Sequence, residues 1–268
     1  MGGFTGRVIV ITGGGGILCS ALAEGLARDG ARIVVLDLAR DKAEATAERV
    51  RNAGSVGLAL KTSVLSRDDL ADSLAKTLST FGRVDALVNG AGGNHPRATT
   101  SPDQSVFDLP EAVVRSVFDL NFMGTFLASQ VFGRAMADQG EGVILNIVSM
   151  NAIRPLTRIP AYSAAKAAVA NFTQWLAVHM AQEYSPRIRV VGIAPGFFLT
   201  EQNRFLLTNE EGNLTERGRQ IIDHTPMGRF GEPQDLVGTA RWILSPGAAF
   251  VTGVVIPIDG GFSAYSGI

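Results

Sequence analysis

The sequence predicts an α/β fold of the doubly wound type. The chain opens with a β-branched run, RVIVIT (7–12), then four glycines (13–16), then an apolar-periodic stretch ILCSALAEGLARDG (17–30). A second strand-like run, ARIVVLDL (31–38), follows and carries an acid, Asp37, at its end. Strand-like and helix-like segments then alternate along the rest of the chain, the pattern of a sheet with helices on both faces. The most unusual polar segments also leave the carboxyl ends of strand runs, where open α/β sheets hold ligands.

Length and composition set the bounds. No linker rich in proline, serine or charge divides the 268 residues, so a single domain (1–268) is expected, and 46% apolar content is enough for a sizeable core. A formal net charge of −1, with no long run of one sign, argues against nucleic acid as a partner and against an electrostatic membrane anchor. The single cysteine, Cys19, excludes an internal disulfide and fits a reducing compartment, so a cytoplasmic protein is expected. His95, His179 and His224 are scattered without metal-ligand spacing, and no metal is expected. Four consecutive glycines interrupt the one stretch that could mimic a secretion signal. No uninterrupted apolar run reaches the ~18 residues of a membrane span.

Each element has its own signal. The first glycine turn lets the backbone approach a pyrophosphate, and the helix that follows offers free N–H groups and a positive dipole end. Gly13, Gly15 and Gly16, with Ile17 and Leu18 at the helix start, are the expected phosphate contacts. Asp37 lies about 20 residues beyond the turn, where a carboxylate accepts hydrogen bonds from the adenosine ribose and repels a 2′-phosphate. NAD(H) is therefore expected over NADP(H), with Leu38 beside it. DKAEATAERVRNAG (41–54) reads as a helix closed by Gly54, SVGLALKTSV (55–64) as a third strand, and RDDLADSLAKTLSTFG (67–82) as an amphipathic helix. Ser63 and Val64 are placed beside the adenine. RVDALVN (83–89) is a fourth strand running into GAGG (90–93). Gly90 and Ala91 are expected to pack against the cofactor, and Asn89 to brace the sheet. The loop at 94–110 carries Asn94, His95 and Arg97, a donor-rich candidate substrate lip whose bland alternative is a solvated loop. Residues 111–140 read as one long helical stretch containing Asn121.

The strand-like run GVILNIV (142–148) ends at Ser149, and the alanine-rich stretch from Ala161 reads as a helix. Tyr162 and Lys166, four apart, share one face of that helix. An adjacent ammonium favours phenolate, so Lys166 is expected to lower the Tyr162 pKa toward neutrality. A serine hydroxyl at the same point completes a proton-transfer site for an alcohol or carbonyl. The helix continues to 184 with apolar residues around much of its circumference, which hints at subunit packing. RIRVVGIAPGFFLT (187–200) is a sixth strand and loop. Residues 200–232 form a polar insertion, a candidate lid, ahead of a helix at 234–245 and a last strand at 253–261.

The arrangement of Ser149, Tyr162 and Lys166 resembles the active site of classical short-chain dehydrogenases/reductases. Thr12-Gly13, Asn89-Gly90-Ala91-Gly92, Asn121 and the run from Pro195 and Gly196 through Phe198 to Thr200 resemble further motifs of that family. Three positions depart from it: Ile17 and Cys19 stand where later turn glycines are usual, and Gly90 replaces a second asparagine. The resemblance implies a Rossmann-type, seven-stranded parallel sheet of order 3-2-1-4-5-6-7 with helices on both faces. It implies Tyr162 as the proton donor, Ser149 as a ligand of the substrate oxygen and Asn121 as a relay residue. Lys166 would hold the nicotinamide ribose beside Tyr162, while Pro195, Gly196, Phe198 and Thr200 would hold the nicotinamide carboxamide. A homodimer or homotetramer is also implied.

A finer resemblance, carried by GAGGNHPRATT, MNAIRPLTRIPAYSAAKAAV, APGFFLTEQNR, HTPMGRFGEP and DGGFSAYSG, is to short-chain-type fructuronate reductases, or D-mannonate oxidoreductases. It implies reduction of D-fructuronate to D-mannonate by NADH. Asn94, His95 and Asn151 could then bond hydroxyls, while Arg97 and Arg154 are the first candidates for a carboxylate, ahead of Arg158 and Arg204. Another sugar, polyol or gluconate 5-dehydrogenase, a general ketone reductase, and a non-catalytic NAD-binding regulator stay open beside it.

Overall fold

Strands rich in valine and isoleucine, buried on both faces, favour a parallel sheet covered by helices on each side. The computed structural model, which describes residues 3–199, 207–209 and 211–267, has this arrangement. Seven strands form one sheet: β1 (Val8–Thr12), β2 (Arg32–Asp37), β3 (Gly57–Lys61), β4 (Ala86–Asn89), β5 (Gly142–Ile147), β6 (Ile188–Pro195) and β7 (Val255–Ile258). Their order is β3-β2-β1-β4-β5-β6-β7, and every neighbouring pair is parallel. The order reverses at β1, so the crevice beyond β1 and β4 is the topological switch point.

Successive side chains of β1 face opposite layers. Ile9 and Ile11 join a core with helices α1 (Ile17–Ala27) and α2 (Arg40–Asn52), while Val8 and Val10 join the other core. The second core includes residues of α3 (Arg67–Phe81), α5 (Gly124–Gln139) and α6 (Pro160–Glu183). α8 (Asp235–Leu244) closes the first layer, and Arg189 of β6 donates to the carbonyls of Ile243 and Val251 to hold it there. No helix among the described residues is long and apolar enough to cross a membrane.

Two segments add detail to the sequence expectation. The stretch at 111–140 is helical from Glu111 to Gln139, as expected, but it is not a regular α-helix throughout. α4 (Glu111–Phe118) passes through a π-helical turn, Asp119–Met123, into α5. Asn121 sits in that turn and donates to the carbonyls of Val117 and Gly93, both at 2.7 Å, so its side chain ties the wider turn to the end of β4. The polar insertion at 200–232 contains a helix of its own, α7 (Glu216–Asp223), begun by Thr215, whose hydroxyl accepts from the Gly218 N–H.

A chain of buried amides crosses the sheet beneath the switch point. Asn89 donates to Ser129 and to Asn146, each at 2.9 Å, and Asn146 donates to Thr173 of α6 at 2.8 Å. Asn89 thus braces the sheet, as expected. Asn146→Ala should take one buried hydrogen bond from each of Asn89 and Thr173, which keep their bonds to Ser129 and Val169, and cost about 1–3 kcal/mol, measured by urea unfolding. Arg134→Ala, at an exposed pair with Asp138, should change stability little by the same measurement.

Candidate active site

The reacting groups meet at the carboxyl end of β5. The strand ends at Ile147, and Ser149 turns out of it to cap a short 3₁₀ turn at Met150–Ala152. The Ser149 hydroxyl accepts from the backbone N–H and the side-chain amide of Asn151, both at 3.2 Å. Proline at the first helical position starts α6, and its first two turns carry Tyr162 and Lys166. Lys166 is buried. Its Nζ donates to the Ile147 carbonyl at 2.7 Å and lies 5.7 Å from the centre of the Tyr162 ring.

The electrostatics correct one expectation. Lys166 does not draw the phenol down here: burial raises the Tyr162 pKa, and a hydrogen bond with Ser149 only partly opposes it. The same burial pulls Lys166 down to about 8. Taking both groups out of water favours their neutral forms.

The sequence reading missed two parts of this cluster. One is the Ile147 carbonyl, which anchors Lys166. The other is Gly92: a Cβ there would lie 2.6 Å from Asn121 Oδ1 and 3.2 Å from Lys166 Nζ. A glycine after β4 was legible, but a backbone acceptor and a close approach have no sequence signal of their own.

A cleft of about 430 Å³ runs from the first turn to this cluster, lined by Gly13, Gly16, Ile17, Leu18, Asp37, Leu38, Ser63, Val64, Gly90 and Ala91. Gly13 has φ +60, and a Cβ on it would stand 2.7 Å from Ala91 Cα. A Cβ on Gly15 would stand 2.5 Å from Lys42 Cβ and 2.9 Å from Asp37 Oδ2. The Asp37 carboxylate accepts from the N–H groups of Gly15 and Ala39, both at 3.0 Å, which fixes an anion at the cleft wall. Val64 is buried, while Leu38 is exposed at the mouth. Glycine turn, helix start and strand-end carboxylate together fit a dinucleotide with a free ribose diol.

Two of the three departures from the family pattern, Cys19 and Gly90, explain each other. A Cβ at residue 90 would lie 2.1 Å from the Cys19 sulfur. Cys19 therefore fills the space that a side chain at 90 would need, and the cleft floor keeps its volume. Burial pushes the Cys19 thiol up to about 12, so it is a packed thiol rather than a nucleophile.

Other expected residues have different surroundings. Pro195 and Gly196 end β6 at the right edge, with the Gly196 N–H bonded to Ile258. Phe198, expected at the nicotinamide, packs its ring into the core against Gly231. Thr200 and Arg204 lie outside the described residues. Asn151, expected to meet substrate hydroxyls, is buried and occupied: it positions Ser149, and its Oδ1 accepts from Leu156 N–H and Ser163. Asn94, His95 and Arg97 form an exposed turn held by its own bonds, Asn94 to Thr99 and the Arg97 N–H to His95 Nδ1. Arg154 is also exposed and donates through Nε to the Ser263 carbonyl at 2.6 Å, which makes it a tie to the C-terminal turn.

Comparison with known proteins agrees with this geometry. Residues 7–211 match the family model described as short chain dehydrogenase. The chain belongs to that family. It is an oxidoreductase that interconverts CH–OH and carbonyl groups. It is 47% identical to the uncharacterized oxidoreductase UxuB of Bacillus subtilis (strain 168), over 98% of this chain and 97% of that one. A candidate D-mannonate oxidoreductase from Haemophilus influenza, solved with NAD bound, superposes with a TM-score of 0.92 at 44% identity, covering 98% of this chain and 97% of that one. The 5-keto-D-gluconate 5-reductase of Escherichia coli (strain K12) is 31% identical over 96% of this chain and 95% of its own.

Two outcomes follow from the packing. Gly90→Asn should weaken NADH binding and lower stability by about 1–3 kcal/mol, and adding Cys19→Gly should restore both; a double-mutant cycle on melting temperature and NADH titration checks it. Lys166, at about 8 instead of its ordinary 10.5, binds fewer protons folded than unfolded between those values. Its destabilising effect is full below pH 8 and fades as the pH rises toward 10.5. Melts of the cofactor-free protein should therefore show the wild type gaining on Lys166→Met across that window; a constant gap would refute the shifted lysine.

Proposed function

We propose that this family member reduces a keto sugar acid with NADH, D-fructuronate to D-mannonate being the first choice, and catalyses the reverse oxidation. The observation that carries the reading is the whole-chain likeness to the candidate D-mannonate oxidoreductase, added to the Ser149–Tyr162–Lys166 cluster beside the cleft. The likeness to a 5-keto-D-gluconate 5-reductase supports the same class, a ketone on an acidic polyol chain.

The cofactor is NAD(H). Asp37 would accept from the ribose hydroxyls and repel a 2′-phosphate. Bound NADH supplies the hydride to the carbonyl carbon. Ser149 donates to the substrate oxygen, holding it as it gains negative charge. Tyr162 then gives that oxygen its phenolic proton; burial keeps the phenol protonated until it is needed. Lys166, fixed on Ile147, stabilises the phenolate left behind and would hold the nicotinamide ribose. Asn121, clasping Gly93, keeps the cleft wall beside Lys166 and connects the relay outward.

The chain acts as one domain, in the cytoplasm, as a homodimer or homotetramer. The outer face of α5 and α6 supports assembly with further copies: Phe122, Phe126, Phe172 and Trp175 form a continuous aromatic row beside an open cavity of about 320 Å³, with Trp175 and Val178 more than half exposed.

The test follows NADH absorbance with D-fructuronate, 5-keto-D-gluconate and uncharged ketones, each beside NADPH. Fast NADH loss with D-fructuronate, little with NADPH, and a Tyr162→Phe variant that binds NADH but turns over at least about 10²-fold more slowly is the expected result. Preference for uncharged ketones would overturn the substrate, and full activity in Tyr162→Phe would overturn the proton donor.

A further inference from the structure

The Ser149 hydroxyl has one proton to give and two lone pairs with which to accept. Both lone pairs are taken: the backbone N–H of Asn151 and its side-chain amide each donate to the Ser149 oxygen at 3.2 Å. Ser149 and Asn151 are both buried, so these bonds are made away from bulk water. The hydroxyl proton is left to point elsewhere, and its neighbour there is the Tyr162 phenol, with which Ser149 shares a hydrogen bond.

This arrangement depends on which way the Asn151 amide faces. An amide turned over would present its oxygen to Ser149 and take the serine proton. A backbone donor fixes the orientation: the Leu156 N–H reaches the Asn151 side chain at 3.1 Å, and only the amide oxygen can accept it. The Ser163 hydroxyl donates to the same oxygen at 3.2 Å. The amide nitrogen is thereby turned toward Ser149.

Ser163 follows Tyr162 in α6, about 100° further round the helix. The turn that carries the phenol therefore also carries a group that holds the amide. Ser163 is buried, and with Asn151, Pro155 and Leu156 it lines a hollow of about 550 Å³ that shares no lining residue with the cofactor cleft. Ser163 thus reaches the reacting groups through Asn151 and Ser149.

We infer that Asn151 and Ser163 are positioning residues that set the polarity of Ser149: they fill both of its acceptor sites, so that the hydroxyl can only donate toward the substrate oxygen. A carbonyl oxygen gaining negative charge needs a donor already aimed at it, and a hydroxyl free to rotate would present a lone pair instead. A purely structural role, holding the loop through Leu156, needs the Asn151 amide oxygen alone; the polarity role needs its nitrogen as well. The inference rests on the role proposed for Ser149 above and holds for whichever carbonyl compound the enzyme reduces.

The experiment compares wild type, Asn151→Asp, Ser163→Ala and Ser149→Ala on D-fructuronate, 5-keto-D-gluconate and uncharged ketones, from acid to mildly alkaline pH, with NADH titration to establish folding. Asn151→Asp keeps the shape and the acceptor for Leu156 and Ser163, but it replaces the donor with a carboxylate that takes the serine proton. Its kcat at neutral pH should fall about 10²-fold, with NADH affinity unchanged. Protonating that carboxyl restores a donor, so the ratio of variant to wild-type kcat should rise as the pH falls. Ser163→Ala, which leaves the amide oxygen held by Leu156 alone, should lower kcat about 2- to 10-fold. A ratio for Asn151→Asp that stays flat with pH, whether activity is kept or lost, overturns the polarity role. Should Asn151→Asp fail to bind NADH, full kcat in Ser163→Ala overturns it instead. Turnover lost in Ser149→Ala beside a flat ratio in Asn151→Asp overturns this inference alone. If Ser149→Ala keeps wild-type turnover, or the wild type reduces none of the compounds, the role of Ser149 falls and the inference with it.

Discussion

The hydrogen bond from the buried Lys166 ammonium to the Ile147 carbonyl is the constraint on which the site depends. A lysine taken out of water needs a partner, and the last carbonyl of β5 is the one within reach. That bond fixes the rotation of α6 on the sheet. It thereby sets Tyr162 one turn earlier beside Ser149, which leaves the same strand two residues later. The depressed lysine pKa and the raised tyrosine pKa have the same cause, because both groups share one dry pocket. In that pocket the phenol is held neutral and the ammonium is made more acidic than a lysine in water.

Around this pair the polar interior is arranged so that few groups are idle. Asn121 closes a widened helical turn onto Gly93, Asn89 and Asn146 link β4, β5 and α6, and Asn151 orients Ser149. The cleft floor is an exchange of volumes, with sulfur at 19 where the family pattern has hydrogen, and hydrogen at 90 where it has an amide. A turn that looks defective against the motif is therefore intact as a surface.

The amino-acid sequence by itself determined the alternation of strands and helices, the cofactor crevice and the trio Ser149, Tyr162 and Lys166. These are legible because they depend on local periodicity and short spacings: glycines at a turn, an acid at a strand end, two residues one helical turn apart. Tertiary structure alone decided the rest. Arg97 and Arg154 were favoured as acid-binding residues because they neighbour motifs in the chain, yet one stands on an exposed lip and the other holds Ser263. The direction of the Tyr162 shift was likewise misjudged from spacing, since spacing reports which charges are near and not how much water has been removed. Burial, close approach and the pairing of distant side chains are properties of packing, and packing is fixed only when the whole chain is folded.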